Sequence, residues 1–188
     1  MLEALALGMV AAGGGAAFVA WRSHNLLAAL DARCAAAFAD VDVLLKQRHD
    51  VIPNLVETVR AFARHENDVL TRVTEARAQA LGSARPEMRL EAETQLGQQI
   101  NSLMSVVEAY PEITASSHFR DLRRKLEDCE TRISNARRFY NLTVAEFEAT
   151  AKQFPAVLFA GRMDLGTHKS FTLGRERALL DEPMAIRL

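Results

Sequence analysis

Apolar residues recur along this chain in steps of three and four, and the phase holds over long distances. Phe119, Leu126, Ile133, Tyr140, Phe147 and Phe154 stand seven apart, with Leu122, Cys129 and Ala136 interleaved. Residues at that spacing share one face of a helix and make it apolar. The pattern predicts a helix from Phe119 through Phe154, capped by Ser116 or Ser117 and stopped by Pro155.

A second stripe joins Phe38, Leu45, Ile52 and Val59 to Val41, Arg48, Leu55 and Phe62. Pro53 falls inside it. A proline in a helix interior removes one hydrogen bond and costs about 3 kcal/mol. Each large apolar side chain buried beside it returns about 1.5–3 kcal/mol. The phase passes through Pro53 unchanged, which predicts one helix over residues 26 to 64, kinked at the proline. The rival is a reversal at 50–54 with Pro53 as the first helical residue.

Two shorter helices follow. Val69, Val73, Ala76 and Ala80 keep helical spacing, with Asn67 or Asp68 as cap. After a "GSARP" turn, Pro86 opens the next helix. Its stripe is Leu96, Ile100, Leu103, Val107 and Tyr110, halted by Pro111. From Gly161 on the periodicity dissolves into an irregular tail, with a short extended piece at Lys169–Leu173. Each helix has one apolar face and none can fold alone in water. The expected fold is all-α: an antiparallel four-helix bundle over residues 25–160, long first and last helices, and a tail over 161–188.

Residues 1–24 stand apart. The stretch 4 to 21 carries no charge, and at about 1.5 Å per residue it just spans a hydrocarbon core. Trp21 and Arg22 follow as an interfacial aromatic and a charged stop. The expectation is a single transmembrane anchor. A cleaved signal peptide and a soluble Ala-rich helix are the competitors; the first would normally open with a basic residue, where this chain has Glu3. Ala4, Gly8, Ala12, Ala16 and Ala20 form a ridge of small residues that would let two such helices approach closely. General alanine richness explains the ridge better than a helix-pairing role does. Arg22 and Arg33 lie after the span, which places the bundle on the cytoplasmic side of the inner membrane.

The formal net charge of -1 removes any electrostatic pull toward nucleic acid. Arg120, Arg123, Arg124 and Lys125 are interleaved with Asp121, Glu127, Asp128 and Glu130, so they pair on a wet helix face. Cys34 and Cys129 lie in apolar stripes without metal spacing, and read as buried thiols.

Three stretches carry a family resemblance. "LLKQRHDVIPNLVETVRAFARHE", "EAYPEI" and "ETRISNARRFYN" are similar to segments of the LemA family, in order and at fitting separations; "FPAVLFAG" resembles the segment after that family's last helix. The resemblance covers residues 25 to 161 and implies a membrane helix followed by a helical bundle. The matching positions are Arg48, His49, Pro53, Asn54, His65, Glu66, Tyr110, Pro111, Arg138, Tyr140 and Asn141. No enzymatic activity is established for that family as a whole, and its members are often encoded near membrane proteases, so the resemblance hints at such a partner. The last residues depart from the Gly- and Phe-rich tail usual in the family.

No catalytic motif emerges. None of the five histidines has an acidic residue three positions before it, as a di-metal bundle requires, and neither His49 nor His65 opens an HExxH. "GRMDLGTH" has the glycine spacing of a phosphate loop without its Lys-Ser/Thr ending. Pro53 leaves the carbonyl of His49 without its helical donor, so a side chain or water must supply one. Arg48 occupies an apolar-stripe position, where a charge is costly unless paired, and Arg138 or Asn141 across the bundle would share one polar layer with it. The cluster at Pro53 is then a structural polar layer or a notch for a partner's polypeptide.

The functional expectation is a non-catalytic, single-pass membrane scaffold or adaptor that needs no cofactor or metal. Its expected partners are membrane lipid, a membrane protease or other envelope protein, and a second copy of the chain. The alternative is a metal-dependent or hydrolytic enzyme using His49 and His65 with nearby carboxylates.

Overall fold

The computed structural model describes residues 1–63, 65–83, 86–161, 163, 165, 166, 168, 170 and 171, without the side chains of residues 2, 4–6, 86, 87 and 90. Among the described residues the regular structure is all helix: α1 Leu2–Phe62, α2 Asn67–Gly82, α3 Pro86–Val107, α4 Pro111–Ala115, α5 Ser117–Ala151 and α6 Val157–Ala160. The chain divides into two compact units, residues 40–136 and residues 1–39 with 137–188.

α1 passes through Pro53 without a break. The chain does not double back at 50–54, and the segment set apart as an anchor is the first part of this same helix. Ser116 caps α5 through its Oγ, which accepts the Phe119 N–H at 3.5 Å. Pro86 opens α3, and Pro111 opens the short α4, which no periodicity had announced. α2 is capped differently from expectation. Asn67 is already helical and Glu66 is the residue before it, with no side-chain cap.

In the 40–136 unit, α1 contributes Ile52, Leu55, Val56 and Val59 to one core with Leu70, Val73, Leu96, Leu103, Ile113, Phe119 and Leu126 from α2 to α5. This is the helical bundle. Two ends of the predicted stripes depart from it. Phe62 is exposed and Ala63 is buried in its place, because α1 stops at Phe62. Phe154 is 80% exposed, because α5 ends at Ala151 and not at the proline. The residue before a proline is driven out of helical conformation, so Phe154 cannot extend the helix's phase. Arg123 and Glu127 pair at 2.8 Å on an exposed face of α5, as the interleaved charges require.

In the other unit, Leu27, Leu30, Cys34 and Ala37 of α1 are buried, as are Tyr140, Val144 and Phe147 of α5. Arg33 reaches Glu146 at 3.4 Å, and Phe38 lies 5.6 Å from Tyr140, so the two helix segments run antiparallel. Cys34 and Cys129 are both free and buried, one in each unit. Of the expected extended piece, Lys169, Thr172 and Leu173 lie outside the described residues, and Ser170 and Phe171 have no regular structure.

Among the described residues no helix is long and apolar enough to cross a membrane. Gly13, Gly14 and Gly15 dilute the opening stretch, and the side chains of Ala4, Leu5 and Ala6 within it lie outside those described. The transmembrane reading of residues 4–21 therefore finds no support here. Leu7, Met9, Val10, Phe18 and Trp21 of α1 are nonetheless exposed.

Candidate functional site

Among the described residues, the 40–136 unit buries three polar side chains, Arg48, His49 and Glu93, where an apolar core would be expected. Arg48 and His49, neighbours on α1, are each 2% exposed, and Glu93 on α3 is 1% exposed. A helix places consecutive residues about 100° apart, so Arg48 and His49 can converge on a partner only if it lies between them. Glu93 does. Its Oε2 takes the Arg48 Nη2 and its Oε1 lies 2.8 Å from His49 Nε2. Arg48 Nη2 also donates to the Glu93 carbonyl at 3.2 Å, and Nη1 donates to Glu130 Oε1 on α5 at 2.9 Å. One guanidinium thus ties α1 to α3 and α5.

The fourth tie answers the proline. The Nε–H of Arg77 on α2 donates to the His49 carbonyl at 2.9 Å. That is the acceptor Pro53 leaves empty. A side chain supplies the missing donor, so the helix continues at reduced cost.

Burial on its own would push the Glu93 carboxyl up. The hydrogen bond from His49 and the Arg48 charge outweigh it and hold Glu93 below the usual carboxylate range. Two carboxylates face one guanidinium, and Glu130 is 43% exposed while Glu93 is closed off. Arg48 Nε and His49 Nδ1 make no hydrogen bond. The cluster holds a buried His–carboxylate pair, His49 and Glu93. Among the described residues no three His, Cys, Asp or Glu are grouped to hold a metal.

A cleft of about 510 Å³ lies beside the cluster, between α3 and α5. Ile100, Met104, Phe119 and Leu126 line it, with Arg123 and Glu130 at polar positions. Gly97 also lines it, and a Cβ there would stand 3.8 Å from Arg48 Nη1.

The other expected positions scatter. Pro53 is half-buried; Asn54 is exposed, and its carbonyl accepts the Thr58 hydroxyl at 2.7 Å. His65 and Pro111 are exposed. Glu66 and Tyr110 make a separate clasp, the phenol donating to Glu66 Oε1 at 3.1 Å. Arg138 is exposed in the other unit, where Tyr140 and Asn141 also lie. Arg48 pairs with Glu93 and Glu130, and Asn141 is engaged with the backbone of Phe171. Glu93 and Arg77 were not singled out from the sequence, and Glu130, read there as one of the charges pairing on a wet helix face, pairs instead with buried Arg48. Glu93 had a signal: it extends the Leu96–Ile100–Leu103 alternation three residues back, a charge on an apolar stripe like Arg48.

No curated relative matches the chain. The sequence model of the LemA family matches residues 37–184, taking in the bundle, the Arg48–Glu93–Glu130 cluster and most of the tail, and the chain belongs to the LemA family.

Proposed function

We propose that this protein is a non-catalytic, membrane-associated scaffold or adaptor. The first part of α1 is its attachment, and the bundle is the surface it offers to a membrane protease or another envelope protein. One observation carries the reading: Leu7, Val10, Phe18, Val19 and Trp21 are exposed along a single helix. Scattered apolar residues are ordinary on a surface, but a run of this length is a surface awaiting lipid or protein. The attachment is to the inner membrane, through the exposed apolar residues of α1 and not through a demonstrated span, with the bundle on the cytoplasmic side.

The buried cluster supports a structural role for Arg48, His49 and Glu93. A buried ionic group of this kind sets helix register at a cost in stability. The enzymatic alternative would need His49 to act with His65, and the first is buried while the second is exposed. The mixed cleft between α3 and α5 is the surface best suited to a partner, with apolar walls and charges at its rim.

In-cell photo-crosslinking from Asn101, Thr131 and Phe18, read by mass spectrometry, tests the proposal. Crosslinks to a recurring envelope protein from the cleft positions, and to lipid or membrane protein from Phe18, are expected. Contacts only within the chain itself from all three would contradict it.

A further inference from the structure

Beyond α6, in the unit of residues 1–39 and 137–188, the described part of the tail has no helix or strand, yet it is held at three points. Asn141 on α5 grips the backbone of Phe171 with both ends of its amide. Its Nδ2 donates to the Phe171 carbonyl at 2.8 Å, and the Phe171 N–H donates to its Oδ1 at 2.7 Å. A side-chain amide used in this way stands in for a neighbouring strand. It reads main chain and ignores the side chain.

Selectivity lies beside the fork. The Phe171 ring stacks on Phe38 at 6.1 Å and meets Tyr140 edge-on at 5.1 Å. The Arg137 guanidinium lies 5.5 Å from the same ring. Upstream, Asp31 on α1 accepts the Gly166 N–H at 2.9 Å, and its same oxygen lies 2.7 Å from His168 Nε2. The imidazole meets the Phe147 ring edge-on at 5.4 Å. Two helices therefore offer an amide fork for main chain, an aromatic slot, and a carboxylate for an imidazole.

Main-chain hydrogen bonds for affinity and side-chain pockets for selectivity are how proteins capture extended peptides. We propose that this α1–α5 face is a peptide-recognition groove, held in cis by Gly166, His168 and Phe171, that takes an extended partner segment bearing His-x-x-Phe or a close aromatic equivalent. The occupant's chemistry is read from the segment already seated there. Gly166 and Ser170 are exposed, and the described residues of the tail beyond α6 add no helix or strand pairing to the fold. A segment seated through side-chain and ring contacts at an exposed surface can open locally without unfolding the helices, so the seat can be exchanged. The groove is separate from the cluster at Arg48, and the inference stands independently of the proposed function.

The test uses the full chain and a labelled synthetic peptide of residues 163–173, followed by fluorescence anisotropy. Cis occupancy lowers apparent affinity by the fraction of time the groove is open. A His168→Ala/Phe171→Ala chain, altered only in the tail, should bind the peptide about tenfold or more tightly than the unaltered chain. Adding Asn141→Leu to that chain should abolish binding, as should a peptide with alanine in place of phenylalanine. Circular dichroism checks that each variant is helical. Absence of binding to the helical double variant would overturn the proposal. So would binding that survives both Asn141→Leu and loss of the peptide's ring. A concentration-dependent dimer dissolved by the tail substitutions would assign the groove to a second copy's tail and overturn the partner reading.

Discussion

Arg77 donates its Nε–H to the carbonyl of His49, the one acceptor in α1 that Pro53 strips of its helical donor. The two residues are therefore coupled through a third. Arg77→Ala leaves a part-buried carbonyl unsatisfied, at a cost of about 1–3 kcal/mol. In a Pro53→Ala chain the new N–H at position 53 serves that carbonyl, and Arg77→Ala should cost less. A double-mutant cycle by urea unfolding should give a coupling of about 1 kcal/mol. Additive single and double variants would show that the two features are unrelated.

Glu93 offers a sharper contrast. Glu93→Ala leaves the Arg48 guanidinium, 2% exposed, short of one carboxylate. Removing one member of a buried pair costs about 3–5 kcal/mol. Arg48→Met/Glu93→Leu removes both charges together and should cost less than Glu93→Ala alone. Denaturant unfolding of the three chains decides it; a double variant worse than the single would mean that the pair contributes net stability.

The same carboxyl makes stability depend on pH. Its folded value lies below the ordinary 4.5, although burial alone would raise it, because His49 and Arg48 favour the charged form. The unfolded chain therefore takes up the proton first as pH falls. The contribution is complete above the ordinary value and disappears as pH drops through the lowered one. Stability measured from neutral to acid pH should fall more steeply for the unaltered chain than for Glu93→Gln. Parallel curves would contradict the assignment.

Burial pushes the Cys34 thiol up, with Asp31 and Glu146 adding to it, and burial followed by Asp128 does the same for Cys129. The nucleophile is the thiolate, so both should resist an aromatic disulfide reagent at neutral pH and react promptly in denaturant. Rapid labelling of the native protein would show that the helix faces carrying them open readily.

Much of this architecture is legible in the sequence, for a reason visible in particular residues. Ile133, Leu126 and Phe119 keep their phase because one straight helix carries them, and each is buried. The same rule misleads at Phe62 and Phe154, where spacing continues and the helix does not. Periodicity reports a face only while backbone hydrogen bonds persist. The empty carbonyl at His49 could be deduced from Pro53 alone, since a missing N–H is a covalent fact. Arg77 as its donor could not, because that pairing joins residues far apart in sequence. Arg48 announced a buried charge without naming its partners. Glu93 sat in its own stripe, and opposite charges on two apolar stripes were the available clue. The Asn141 amide meets only the backbone atoms of Phe171, which leave no trace in residue type.

The central claim is that the exposed apolar run of α1 seats this helical bundle on a membrane. Flotation of the full chain with vesicles of phosphatidylethanolamine and phosphatidylglycerol tests it directly, against a Leu7→Asp/Val10→Asp/Phe18→Asp variant. The unaltered chain should rise with the vesicles at high salt and the variant should stay behind with its helix content intact. Equal flotation of both, or of neither, would contradict the account.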